Sequence, residues 1–289
     1  MPMRTANRPP AFWLFPVGLG IALGVSAVPG EWPLYAILAV STAILGLPHG
    51  SLDSAVAQRH LPLNGRLQLL GFYVGYLALG GLVLALWWQA PNIALAAFLL
   101  YSAFHFADDI AVRIGQLGGT AYGLWVLSLP VSLHPEQVTP LFEMLGATQA
   151  DQLVAVAPYT LALSGAVLTV SLMLKPQRAT SDWRDPLLLA VGAMLLHPLA
   201  YFIAYWCFLH SPRHLELAAR DLGLHGWRER LKVIAPITLA TYVLALGALP
   251  FLIDLPGETA LMRIVFIGLA ALTVPHMVLE LIASPRRTT

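Results

Sequence analysis

Long apolar runs separated by short polar stretches dominate the chain. Runs long enough to cross, or nearly cross, a hydrocarbon core of ~30 Å fall at about 11–28, 34–57, 67–89, 92–112, 119–133, 152–174, 186–197, 199–221, 231–253 and 260–283. Each predicts a helix, because a helix satisfies its own backbone groups inside a bilayer. His197-Pro198 divides 186–197 from 199–221, since proline removes a donor and disfavours helix in the residue before it. The alternative is one long kinked helix. The polar stretches 134–151, 175–185 and 222–230 are predicted as loops. No internal repeat or low-complexity region interrupts the pattern. It predicts an all-α polytopic membrane bundle of about 8–10 transmembrane helices, a single transmembrane domain over residues 1–289.

Composition agrees with that pattern. The chain is 58% hydrophobic and 11% charged, whereas a soluble domain carries about 25% charged residues. There are too few polar groups to cover a water-facing surface. A net charge of +1 gives no basis for nucleic-acid binding. The single cysteine, Cys207, excludes an intrachain disulfide and a cysteine-rich metal site. Arg4 and Arg8 precede the first apolar run, which is long for a signal peptide and is followed by many more. It reads as an uncleaved first transmembrane helix.

Charge sets the expected orientation. Arg4, Arg8, Arg59, Arg66, Arg113, Lys175, Arg178, Arg184, Arg213, Arg220, Arg228, Arg230, Lys232, Arg286 and Arg287 fall in alternate connections. The intervening ones carry Glu31, Glu136, Glu143, Asp151, Asp254 and Glu258, with Arg263 the main exception. Basic loops face the cytoplasm. About ten crossings, or about eight with a re-entrant hairpin over 186–210, then place both termini in the cytoplasm of a bacterial-type inner (plasma) membrane.

The candidate chemistry lies in pairs spaced i,i+4 within or at the ends of apolar runs: His49/Asp53, His105/Asp109, His210/His214 and His276/Glu280. Four residues are about one helical turn, which predicts that each pair shares a face, ~6 Å apart along the axis. Ionisable groups in hydrocarbon are costly and are rarely kept without a partner or a task. The expected topology sets the histidines at similar depth, toward the cytoplasmic ends of their segments. Two imidazoles one turn apart, as in His210/His214, can hold one metal from one helix face. His49 and His105 bring the donors to the number a mononuclear site needs. Asp53, Asp109 and Glu280 are either ligands or acceptors for a histidine's distal ring N–H. A donor set rich in imidazole and poor in thiolate suits iron, zinc or copper, and chemistry on an apolar substrate favours redox-active iron. His60 is expected to be solvated, His197 to be buried and structural, and His134 and His225 to have no role. Tyr101, Phe104, Tyr201, Phe202, Tyr205 and Trp206 cluster on the same segments. They predict either a helix interface or lipid-facing belt, or an apolar substrate tunnel beside the metal. Ser211-Pro212 predicts a local helix distortion that aims His210 and His214.

These motifs together resemble the Brp/Blh family of membrane β-carotene 15,15′-dioxygenases. The carrying residues are Gly46-Leu47-Pro48-His49-Gly50-Ser51-Leu52-Asp53, Ser102-Ala103-Phe104-His105-Phe106 with Asp109, His197-Pro198, Tyr201-Phe202 through His210-Ser211-Pro212-Arg213-His214, and Pro275-His276. The resemblance covers about residues 40–283. It implies a non-haem Fe(II) enzyme that uses O2 to cleave the central double bond of β-carotene, or of a related carotenoid, to two retinal molecules. It implies that His49, His105, His210 and His214 bind the iron, with the role of His276 open. Glu280 departs from the family's usual C-terminal pattern. Membrane lipid is the expected surrounding, and the sequence singles out no protein partner.

Other classes compete with this reading. A membrane desaturase or hydroxylase acting on lipid needs about eight histidines in clustered boxes, whereas this chain has one HxxxH and no HH pair. A bis-histidine haem protein or an ion-translocating protein would use the carboxylates as proton relays.

Overall fold

The computed structural model describes residues 11–174 and 181–287. Arg4, Arg8, Lys175 and Arg178, on which part of the charge argument rests, lie outside them. The described chain is helical: α1 (Ala11–Ser26), α2 (Trp32–Ser41), α3 (Asp53–His60), α4 (Arg66–Gln89), α5 (Pro91–Ala107), α6 (Ala111–Leu133) and α7 (Pro135–Met144). There follow α8 (Ala150–Leu174), α9 (Ser181–Leu195), α10 (Pro198–Tyr205), α11 (Ser211–Asp221), α12 (Trp227–Ala248), α13 (Gly257–Met262) and α14 (Gly268–Arg287). No strand occurs among the described residues.

Several helices are continuous through a tightened or widened turn. A π turn, Thr42–Gly46, and a 3₁₀ turn, Leu47–Leu52, join α2 to α3. A second π turn, Trp206–His210, joins α10 to α11, and a third, Arg263–Ile267, joins α13 to α14. Among the described residues, five helical stretches are long and apolar enough to cross a membrane: Trp32–His60, Arg66–Gln89, Ala150–Leu174, Trp227–Phe251 and Gly257–Ala283. Trp13–Ser26 and Pro91–Ala107 are shorter apolar helices.

The outside of the bundle is apolar. α4 exposes Leu67, Leu70, Val74, Leu77, Leu82 and Leu84, a surface that only lipid or protein can cover. The inside holds the ionisable groups, with Asp53, His105, Asp185, His210 and His276 all buried. This inversion marks a membrane protein.

Proline sets the expected break before α10. His197 is extended (φ −56°, ψ 142°), as the residue before proline prefers, and its Nδ1 caps α10 by accepting from Leu199 N–H at 3.2 Å. Small residues let α5 and α6 approach. A Cβ on Gly123 would collide with the Ala103 carbonyl, and one on Gly119 with that of Ala107. This small-xxx-small spacing fixes the end of α5 that carries His105.

The structure corrects two of the predicted loops. Stretch 134–151 contains α7, which buries Val138, Leu141 and Phe142 while Glu136, Gln137, Pro140 and Glu143 are exposed. Apolar positions at i, i+3 and i+4 are enough for an amphipathic helix, although they form no long run. In 222–230 the helix α12 already starts at Trp227. Of 175–185, residues 175–180 lie outside the described residues, and α9 starts at Ser181. His60 is not solvated. Its Nε2 lies 2.7 Å from Asp221 Oδ2, joining the ends of α3 and α11, and only 9% of its side chain is exposed. His134 stands at the residue before α7, and its Nε2–H donates to Ala193 O at 2.7 Å.

Candidate metal centre

Four separate stretches of backbone bring histidines to one place. His49 sits in the 3₁₀ turn after the first π turn, where Leu47-Pro48 interrupts the regular helix. Gly46 is required there, since a Cβ would enter the Trp206 ring. The freed Gly46 carbonyl accepts from His49 Nδ1–H at 2.6 Å. His105 lies near the end of α5 and is 3% exposed. His210 closes the second π turn and is 0% exposed, with His214 following in α11. His276 lies in α14. π turns often mark functional sites because they re-aim the side chains that follow.

The rings converge. Centroid separations are 4.7 Å for His105–His210, 4.3 Å for His210–His214 and 5.2 Å for His105–His276. His49 lies 5.5 Å from His276 and 5.8 Å from His210. His105 Nε2 and His210 Nε2 are 3.0 Å apart. Donor atoms fall into overlapping groups that each fit within 4.8 Å: His49 with His105 and His210, His105 with His276 and Glu280, and Asp109 with His210 and His214. The four histidines expected as ligands, together with His276, therefore line one cluster, and His105 and His210 each belong to two of its groups.

Carboxylates stand behind the imidazoles. Asp109 Oδ1 accepts from His210 Nδ1–H at 3.1 Å and lies 3.5 Å from His214 Nε2, while Tyr205 O–H donates to its Oδ2 at 2.8 Å. Asp53 repeats the arrangement. Its Oδ1 accepts from His276 Nδ1–H at 2.8 Å, and Tyr76 O–H donates to its Oδ2 at 2.7 Å. Glu280 Oε2 lies 3.8 Å from His276 Nε2 and 3.9 Å from His105 Nδ1. A carboxylate on the far ring nitrogen fixes the tautomer and raises the basicity of a metal-binding imidazole.

The i,i+4 pairing is thus partly crossed. His276/Glu280 and His210/His214 stay together, but Asp53 serves His276 rather than His49, and Asp109 serves His210 and His214 rather than His105. Between His49 and Asp53 the backbone is 3₁₀, which turns ~120° per residue and carries Asp53 off the face of His49. Between His105 and Asp109 the helix ends at Ala107, so Asp109 leaves the face of His105.

An apolar cavity opens from His49 and His105. Phe98, Leu99, Phe202 and Trp206 form part of its wall, and the last two stack at 5.5 Å with their planes 16° apart. Of the proposed tunnel residues, Phe202 and Trp206 lie in this lining. The others do not. Phe104 is 56% exposed on the outside of α5, because one residue from His105 is ~100° around the helix. Tyr101 O–H donates to Val274 O at 3.0 Å, Tyr201 O–H to Val126 O at 3.1 Å, and Tyr205 O–H to Asp109. A buried tyrosine hydroxyl needs such a partner, and that requirement turns the rings away from the cavity. Sequence reasoning missed Tyr76 altogether. Its only signal was a hydroxyl in an apolar helix.

The donor set fits a resident metal ion. His105 Nδ1 is buried and accepts or donates no hydrogen bond, an unfavourable state for a polar atom. Two imidazole nitrogens face each other at hydrogen-bond distance, and the lone thiol, Cys207, is buried away from this donor set.

The family model described as beta-carotene 15,15'-dioxygenase matches residues 40–282. A protein of uncultured marine bacterium 66A03, named beta-carotene 15,15'-dioxygenase, is 30% identical over 248 residues, covering 81% of this chain and 88% of that protein. A protein of Halobacterium salinarum, named probable beta-carotene 15,15'-dioxygenase Blh, is 29% identical over 323 residues, covering 95% of this chain and 92% of that protein. No solved structure matches the chain.

Proposed function

This chain belongs to the β-carotene 15,15′-dioxygenase family, and from that premise we propose that it cleaves the central double bond of β-carotene with O2 to give two molecules of retinal. The reading is carried by one observation: a histidine cluster forms one end of an apolar cavity inside a membrane protein. A polar substrate gains nothing from such walls, whereas a long conjugated hydrocarbon does.

His49, His105, His210 and His214 would hold the metal, with His276 adjoining them. Imidazole donors without thiolate suit iron, and oxygen chemistry calls for a redox-active ion, which makes Fe(II) the proposed cofactor. Iron bound there supplies the activation of O2. The chain supplies the rest. Asp109 and Asp53, each held by a tyrosine hydroxyl, keep His210 and His276 in one tautomer and orientation. Phe202 and Trp206 offer a flat π surface to a polyene, and the aliphatic wall excludes water. In the overall reaction the C=C bond is lost and each of its carbons takes one oxygen atom of O2, so that carbon, hydrogen and oxygen balance. The substrate enters from lipid. The histidine end lies toward the cytoplasm, with both termini on that side of a bacterial-type inner membrane.

The test uses purified protein in detergent. We expect one iron per chain by elemental analysis, no haem Soret band, and retinal from β-carotene only when iron is present. A Soret band, or retinal formation that survives complete removal of iron, would overturn the assignment. Reporter fusions after Arg66, Arg184, Arg230 and Arg287 should all report cytoplasm, with one near Glu143 reporting the opposite side.

A further inference from the structure

The cavity has a second end, and nothing in the chemistry above uses it. Away from His49 and His105 its wall includes α7, whose Val138, Leu141 and Phe142 face inward with Leu145 just beyond. We propose that α7 is a ruler: its inner face sets how far one end of the polyene enters, and so selects which double bond comes to rest beside the histidines. The proposal rests on the carotenoid-cleaving reading and adds specificity-determining residues to it.

The depth matches. Leu95, Phe98, Leu99, Ser102 and His105 line the cavity along one stripe of α5. The ten-residue step from Leu95 to His105 spans ~15 Å at 1.5 Å per residue. In β-carotene nine bonds separate a central carbon from the ring. An extended chain advances ~1.2 Å per bond, as extended backbone does, giving ~11 Å, and the six-membered ring adds ~4 Å. Half of the substrate therefore matches the length of this stripe. A symmetric molecule seated this way presents its midpoint.

A ruler must also be rigid, and α7 is held at both ends. At its start, His134 Nε2–H donates to Ala193 O at 2.7 Å. At its end, Arg263 Nε–H donates to Met144 O at 2.9 Å and Trp87 Nε1–H to Leu145 O at 2.8 Å. Tyr35 O–H lies 3.9 Å from Met144 Sδ. These anchors come from α2, α4, α9 and the π turn before α14. They also account for Arg263, the basic residue that breaks the charge pattern: its charge is used to hold the end of α7. The outward face of α7 carries the exposed Glu136, Gln137 and Glu143, so the helix turns its apolar side to the cavity and its polar side out.

Two predictions separate this from a cavity that merely accepts carotenoids. Any cut by O2 turns one C=C bond into two carbonyl products, an aldehyde at a carbon bearing hydrogen and a ketone at one bearing a methyl group, whose carbons sum to those of the substrate, so the register is read directly from product masses. The wild-type holoenzyme should give 20-carbon products from β-carotene. Phe142→Ala and Leu141→Ala deepen the cavity and should raise the unequal pair of carbonyl products, one longer and one shorter than 20 carbons, by about tenfold or more, the discrimination that lost apolar contacts of this size carry. The second measurement needs no variant. Wild-type protein is given polyenes that keep one β-ring but are shortened at the other end. A ruler cuts at a fixed distance from the seated ring, so the ring-bearing product stays at 20 carbons. Cleavage of the shortened polyenes at their own midpoints, or only 20-carbon products from both α7 variants, would overturn the ruler while leaving the carotenoid-cleaving reading in place. A wild-type protein that makes no retinal at all would instead remove that reading.

Discussion

The two ends of the cavity are held together by different physics. At the histidine end the helices are broken: a 3₁₀ turn presents His49, a π turn ends on His210, and prolines stand at Pro48 and Pro212. Side chains there are fixed by carboxylates and tyrosine hydroxyls, notably Asp109 with Tyr205 and Asp53 with Tyr76. At the α7 end a short amphipathic helix presents only apolar groups inward, and Arg263 and Trp87 anchor it by donating to backbone carbonyls. Irregular backbone is tolerated inside a membrane protein only where it is buried in protein or lines a cavity. Here it falls where donor atoms must be aimed. Regular helix suffices where a surface only has to stop a chain. Changes at the first end should therefore alter metal content, and changes at the second should alter products or stability with the metal retained.

The largest effect is expected from the histidines. His210→Ala removes a ring that belongs to two donor groups and contacts Asp109. It should abolish bound iron and retinal production while the protein still inserts. Phe142→Ala should keep its iron. Elemental analysis of the two variants in parallel checks the contrast, and full iron content in His210→Ala would break it.

Next come the carboxylates, which grade the polar end from within. Asp109 has a side chain that is 1% exposed and stands behind two imidazoles, whereas Asp53 stands behind one. Asn keeps the shape and one acceptor but removes the charge. Asp109→Asn should lower iron affinity by about 100-fold and Asp53→Asn by about 10-fold, the two ends of the range usual for groups that orient a ligand. Competition with a coloured chelator measures both. An Asp53→Asn protein with no detectable iron would make Asp53 a ligand itself.

The sequence made the membrane helices and the gathering of histidines legible, because long apolar runs and imidazoles within them are both costly to place elsewhere. It did not make the partners legible. Spacing of i,i+4 states who shares a face only while the helix stays regular, and it held for His276/Glu280 inside α14 but not for His49/Asp53 across a 3₁₀ turn. Which residue lies opposite is decided by how helices pack, so Asp53 meeting His276, 223 positions away, left no local trace. Tyr76 and α7 were hidden for related reasons. A hydroxyl in an apolar run looks like a lipid-facing tyrosine, and in α7 the polar positions outnumber the three that are buried.

The smallest expected effect tests the quiet end. Trp87 is buried, and its indole N–H is an anchor for the Leu145 carbonyl at 2.8 Å. Trp87→Phe keeps an aromatic ring beside Phe98, whose centroid lies 6.1 Å away, but leaves that acceptor without its donor. An unsatisfied buried acceptor costs about 1–3 kcal/mol, so the unfolding midpoint in detergent should fall modestly. The histidine cluster is untouched, because the substitution lies at the far end of the cavity. Iron content should match the wild type, and the product mixture should shift only slightly, since Arg263 still holds Met144 O. A Trp87→Phe protein that loses its iron would show that the two ends are mechanically coupled and that the division drawn between them is wrong.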